Sequence, residues 1–141
     1  MNSSKVPYCL LLGVVVAVGI ASAQTIVKQV PAKPTVSVNG KVLYHEYCAV
    51  CHGQDGKGAG PAASALTHSP TDLTMIARKN NGRFPDEKIL AILTGEANVT
   101  AHGSKDMPMW GAIFNNMSSN PGMAQTRIHA LLQFVEEMQA K

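Results

Sequence analysis

The residues best suited to chemistry in this chain are two cysteines and a histidine in the run Cys48-Ala49-Val50-Cys51-His52. Two cysteines at this spacing serve a redox disulfide, half of a zinc site or the attachment of a haem. A four-sulfur zinc site needs a second cysteine pair, and the only other cysteine is Cys9. A thioredoxin-like disulfide needs alternating strands and helices, whereas this motif lies between a helical pattern and a glycine-rich loop.

His52 separates the remaining chemistries, because C-x-x-C-H is the attachment motif of a c-type haem. One helical turn brings the sulfurs of Cys48 and Cys51 within reach of two vinyl groups on one porphyrin edge, and His52 then lies beneath the iron. The motif therefore predicts one covalently bound haem c, with Cys48 and Cys51 as thioethers and His52 as an iron ligand. The chain is poor in aromatic residues, so we expect the haem to supply part of the apolar core.

The amino terminus has the order of a secretory signal peptide: Lys5, an apolar run over residues 10–20, and Ala21-Ser22-Ala23. We expect residues 1–23 to be cleaved after Ala23 and the protein to work in the periplasm. The alternative is an uncleaved membrane anchor, because the charge-free residues 6–27 are long enough to span a bilayer of roughly 30 Å. Cleavage would remove Cys9 and leave only the motif cysteines in an oxidising compartment.

The remaining chain divides into a linker and a helical domain. Residues 24–37 contain Pro31 and Pro34 and lack a helical apolar period, which predicts an extended linker. Residues 38–141 form the expected domain, whose helices combine capping or stop residues with apolar positions at helical spacing. The predicted helices run from Gly40 to about Ala49 after the cap Asn39, over residues 73–78, from Pro85 to just before Gly95, and from Met123 to about Gln139.

Over nearly all of residues 37–141 the chain resembles the small class I cytochromes c. Besides the motif, the resemblance rests on Gly40 and Tyr44 in the first helix, on Phe134 in the last, and on the run from residue 51 to Pro61. It implies an all-α fold of about four to five helices around one haem, with Gly40, Tyr44 and Phe134 where the first and last helices cross. It also implies that the Pro61 carbonyl accepts the Nδ1 proton of His52, leaving Nε2 for iron.

The resemblance also points to the sixth iron ligand. Family members usually carry a methionine directly before a proline in a late irregular loop, and Met107-Pro108 matches that pattern. Pro108 would stiffen the loop that holds a weak thioether against iron. Met109 and His102 lie on the same stretch and remain alternatives to Met107.

Charge and ligation together indicate the functional class. The net charge of +3 falls to about +2 without Lys5, and two haem propionates bring the protein close to neutral. No basic stripe exists, so nucleic acid is not an expected partner, and membrane contact is expected only through an uncleaved amino terminus. We expect a non-enzymatic carrier of single electrons between transient redox protein partners. A haem-bearing subunit of a larger oxidoreductase is the alternative, and an open-site haem enzyme is a more distant one.

Overall fold

The computed structural model describes residues 31–96 and 107–140, and in this part all regular secondary structure is helical, which confirms the expected all-α class. The first helix consists of α1 (Gly40–Leu43), a π-helical segment (Tyr44–Cys48) and α2 (Ala49–His52) in direct succession. Two 3-10 turns follow, Ala63–Ala65 and Leu73–Met75, and the second leads into α3 (Ile76–Lys79). The remaining helices are α4 (Asp86–Thr94), α5 (Trp110–Asn116) and α6 (Pro121–Glu137).

Several helix ends follow the local signals in the sequence. The Asn39 side chain accepts a hydrogen bond from the backbone N–H of Val42 and so caps α1. Asp72 caps the turn before α3 in the same way, and Gly95 ends α4 in the left-handed conformation with φ 84°. The last helix begins at Pro121, two residues before the predicted start, because Asn120 provides its cap.

Two helical features were not predicted. The first helix continues to His52 instead of ending near Ala49, and the N–H of Ala49 bonds to the Tyr44 carbonyl five residues earlier, which makes this stretch π-helical. The predictions also omitted α5, which begins without a side-chain cap. Its buried residues Trp110 and Phe114 show that tertiary packing stabilises it.

The first and last helices cross in close contact at Gly40. A Cβ atom at Gly40 would overlap the carbonyl oxygen of Ala130 and lie 3.0 Å from the Cβ of Phe134. The ring of Tyr44 lies 5.3 Å from the Phe134 ring, centroid to centroid. The expected contact of Gly40, Tyr44 and Phe134 is therefore confirmed, and it depends on the missing side chain at residue 40.

The buried core joins the first helix to α4, α5 and α6. On α4, Leu93 is buried, while Ile89, Leu90 and Ile92 are half-buried. Within the described part of the chain, no helix is both long and apolar enough to cross a membrane. The buried apolar residues are Leu43, Tyr44, Tyr47, Ala49, Leu93, Trp110, Phe114, Ala124, Ile128, Leu131, Leu132 and Val135.

Candidate metal centre

The three motif residues lie together at the end of the first helix. Cys48 ends the π-helical segment, while Cys51 and His52 end α2. Both cysteines are half-buried free thiols. Burial, with a smaller contribution from Cys51, raises the pKa of Cys48 to about 12, and burial also raises the pKa of Cys51. Both sulfurs are therefore uncharged thiols at neutral pH, and they lie on consecutive turns beside an imidazole.

His52 has the protonation pattern of a metal-binding imidazole. Its Nδ1 lies 3.0 Å from the carbonyl oxygen of Thr71. Because a carbonyl only accepts hydrogen bonds, Nδ1 carries the proton and Nε2 keeps its lone pair. Burial lowers the pKa of His52, partly opposed by the hydrogen bond to Thr71, so the neutral form is favoured. A fixed tautomer with a free Nε2 is the state that an iron ligand requires.

The acceptor of the His52 proton differs from the predicted one. The bond goes to the carbonyl of Thr71, whereas the family resemblance implied the carbonyl of Pro61. The backbone N–H groups on either side of Pro61 bond to the carbonyls of Cys51 and Val50, which places Pro61 beside the last turn of the helix. Thr71 contributes only its backbone and lies 19 residues after His52, so no local pattern in the sequence could identify it.

Residues 70–73 are held against the loop behind His52. The N–H of Leu73 bonds to the carbonyl of Gly56 at 2.7 Å, and a Cβ at Gly58 would overlap the carbonyl oxygen of Pro70. The amide of Gln139, just past α6, donates to the Leu73 carbonyl at 2.8 Å. It also accepts from the N–H of Ala77 at 2.9 Å. These contacts fix the segment that carries the Thr71 carbonyl.

The two candidate methionines lie on the segment that leads into α5. Met107 is 37% exposed and Met109 is 60% exposed. A Cβ added to Gly95 would lie 2.9 Å from Cγ and 3.0 Å from Sδ of Met109, so the Met109 side chain packs against the end of α4. His102, the other alternative for the sixth ligand, lies outside the described residues.

The residues present fit a covalently bound haem c. Two uncharged thiols are present for covalent attachment, and the candidate donors to iron are one neutral imidazole with a fixed tautomer and thioethers on a separate segment. Apolar side chains between residues 66 and 92 are partly exposed, as expected for groups that line a porphyrin. These half-buried side chains are Leu66, Leu73, Met75, Ile76, Phe84, Ile89, Leu90 and Ile92.

Comparison with known proteins agrees with this chemistry. No curated protein and no solved structure matches the chain. A family model described as cytochrome c oxidase, cbb3-type, subunit III matches residues 37–120, which is more than half of the chain. The matched stretch includes the Cys48–His52 motif and Met107. The chain therefore belongs to this family, and it is a class I c-type cytochrome that carries covalently bound haem c and takes part in electron transport.

Proposed function

We propose that this protein is a single-haem electron carrier that works outside the cytoplasm, in the periplasm. In this proposal Cys48 and Cys51 hold the haem as thioethers, and His52 and Met107 are the axial ligands. The observation that carries the proposal is the neutral His52 imidazole, whose Nδ1 bonds to a backbone carbonyl. When bound, the haem supplies reversible one-electron chemistry at its iron.

The choice of Met107 over Met109 is supported by packing. The sulfur of Met109 lies against Gly95, so binding a metal would require it to leave that contact. Met107 precedes Pro108, whose fixed φ restricts the loop. A weak thioether donor benefits from such restriction, since less conformational entropy is lost when it binds.

A filled sixth position favours a carrier over an enzyme. Peroxidases and gas sensors need an open position lined by an acid, a base or a hydrogen-bond donor. In the present proposal the Met107 thioether fills that position and offers no proton. The residues of the chain would therefore hold and orient the cofactor while leaving small substrates no site to bind.

The surface at the motif supports transient redox partners. Val50 lies between the two cysteines and is 47% exposed, although it is apolar. Met109, on the segment that leads into α5, is a further exposed apolar side chain. Small apolar contacts of this kind suit short-lived complexes with a low buried area. We infer that partner redox proteins approach the motif side of the molecule.

The alternative is a subunit that transfers electrons only inside an oxidase, and the description of the family favours it. The test is purification of the full chain, tagged at its carboxyl terminus, from periplasmic extract and from membranes in mild detergent. A free carrier is expected in the periplasmic fraction without stoichiometric partners, and its mass should show cleavage after Ala23. Copurification with other haem subunits in a fixed ratio that survives high salt would show the subunit role instead.

A further inference from the structure

A buried arginine joins three parts of the fold. Arg127 on α6 is only 2% exposed. Its Nη2 donates to the carbonyl of Thr35 at 2.6 Å and its Nε donates to the carbonyl of Ser37 at 3.1 Å. Its Cζ lies 5.9 Å from the ring centroid of Phe114 in α5. Nη1 is also buried and has no hydrogen-bond partner among the described residues.

Burying a guanidinium without a carboxylate partner costs desolvation free energy, which its other contacts must offset. Within residues 31–96 and 107–140, the salt bridge found joins Lys57 to Asp55, and Arg127 takes part in none. Its positive charge is balanced by carbonyl dipoles and by the face of an aromatic ring. A leucine would fill this core position without the desolvation cost. The arginine therefore makes connections that an apolar residue could not make.

The first connection is to the chain before α1. Residues 33–37, here named the strap, have no regular secondary structure, and the carbonyls of Lys33, Thr35 and Ser37 bond to side chains of the helical domain. Arg127 binds two of these carbonyls, and the hydroxyl of Tyr47 binds the third, that of Lys33, at 2.6 Å. The strap is thus attached at three points, although its residues were predicted as part of the linker.

The second connection is to the cluster of three aromatic rings formed by Tyr47, Trp110 and Phe114. The ring centroids are separated by 5.4 Å between Tyr47 and Trp110, 5.6 Å between Tyr47 and Phe114, and 5.6 Å between Trp110 and Phe114. Tyr47 immediately precedes Cys48, and Trp110 lies three residues after Met107. The cluster therefore joins the helix with the haem motif to the helix that begins beside the candidate sixth ligand.

We propose that Arg127 is a positioning residue for the sixth ligand, an inference that rests on the proposed ligation by Met107. The strap holds the guanidinium, the guanidinium lies against Phe114, and the aromatic cluster fixes the start of α5. Met107 lies three residues before that start, so the fixed end of α5 would hold its thioether in position for the iron. Without Arg127, α5 loosens and the weak thioether spends more time off the iron.

Competition by added imidazole measures the fraction of protein in which the Met107 thioether is off the iron, because imidazole binds the ferric iron only when the native sixth ligand has left. The experiment uses the full-length holoprotein and its Arg127→Leu and Arg127→Lys variants. We expect Arg127→Leu to bind imidazole about tenfold more tightly than the parent, in proportion to the larger ligand-free fraction. Arg127→Lys should bind imidazole with intermediate affinity. Its ammonium can donate to one of the Thr35 and Ser37 carbonyls but cannot bind both as the planar guanidinium does.

Two controls separate positioning from charge and from general stability. Arg83→Leu removes an exposed arginine and should leave the imidazole affinity unchanged. The Cβ of Gly40→Ala would meet Ala130 and Phe134 but no ring of the aromatic cluster, so this variant tests general destabilisation. A rise in its imidazole affinity as large as that of Arg127→Leu would mean that lost stability, and not the loss of the Arg127 contacts, releases the ligand. If both folded Arg127 variants bind imidazole with the affinity of the parent, the positioning role of Arg127 is overturned, while ligation by Met107 still stands. A parent protein without a sulfur-to-iron charge-transfer band would overturn methionine ligation, and the inference with it.

Discussion

The hydroxyl of Tyr44 donates a 2.7 Å hydrogen bond to the carbonyl oxygen of Gly53, the residue that follows His52. Tyr44 is fully buried, and this bond joins the middle of the first helix to the first residue of the loop behind the motif. Burial, the largest cause, raises the pKa of the phenol to about 12. The protonated phenol is therefore part of the folded structure.

We predict that this phenol makes stability depend on alkaline pH. Below pH 10 it is protonated in both the folded and the unfolded state, so its contribution is intact. Between pH 10 and about pH 12 only the unfolded state loses the proton, and the free energy of unfolding should fall by about 2 to 3 kcal/mol. Tyr44→Phe should lack this loss in denaturant titrations at several pH values. An identical alkaline slope in parent and variant would assign the loss to another group, such as Tyr47.

The close crossing at Gly40 predicts a large effect from one added methyl group. The Cβ of Gly40→Ala would overlap the backbone of Ala130, so the helices must separate, at a cost of about 2 kcal/mol. Gly122→Ala, near the start of α6, is the matched control because its Cβ would meet only one atom, at 3.5 Å. Chemical unfolding should show the loss for Gly40→Ala and little change for Gly122→Ala. Equal effects would mean that the two helices do not depend on this contact.

Gln139 is predicted to stabilise the segment that carries the acceptor of His52. Replacing it by leucine removes partly buried hydrogen bonds to Leu73 and Ala77, which should cost about 1 to 3 kcal/mol. The exposed Gln133, on α6, is the control. Hydrogen exchange should show faster exchange at the Ala77 N–H in Gln139→Leu and parental exchange in Gln133→Leu. Unchanged protection at Ala77 would contradict the assigned contact.

The haem is predicted to be part of the core as well as the redox centre. Apolar residues on α4, including Ile89, Leu90 and Ile92, are only half-buried by the polypeptide. Cys48→Ser combined with Cys51→Ser should prevent haem retention and yield little folded protein, because metal and cofactor binding is coupled to folding. Circular dichroism and thermal unfolding check this. A soluble apo domain that unfolds cooperatively would show that the polypeptide core suffices.

Features governed by local chemistry could be predicted from the sequence. The caps Asn39 and Asp72 act within three residues of their own positions, and Gly95 ends a helix through its own backbone conformation. The C-x-x-C-H motif carries its spacing in five consecutive residues. By contrast, α5 has no capping side chain and depends on the burial of Trp110 and Phe114 in contacts with other helices.

Features that depend on distant backbone groups could not be predicted. His52 bonds to a carbonyl 19 residues away, and such a partner leaves no trace in the side chains. No role was predicted for Arg127, a charged residue in the last helix. It lies three residues after Ala124 and one before Ile128, which places it on the apolar face of the helix. Helical spacing could therefore have predicted its burial. The carbonyls that it binds could not be found that way.

The central claim, electron transfer through an iron held by His52 and Met107, is tested most directly by a spectroelectrochemical titration of Met107→His beside Met109→Leu and the parent. A thioether favours ferrous iron more than an imidazole does, so Met107→His should stay low-spin while its midpoint falls by about 100 mV or more. Met109→Leu should keep both the midpoint and the sulfur-to-iron charge-transfer band of the parent. A large fall in Met109→Leu would move the ligand to Met109, and parental potentials and spectra in both variants would contradict methionine ligation altogether.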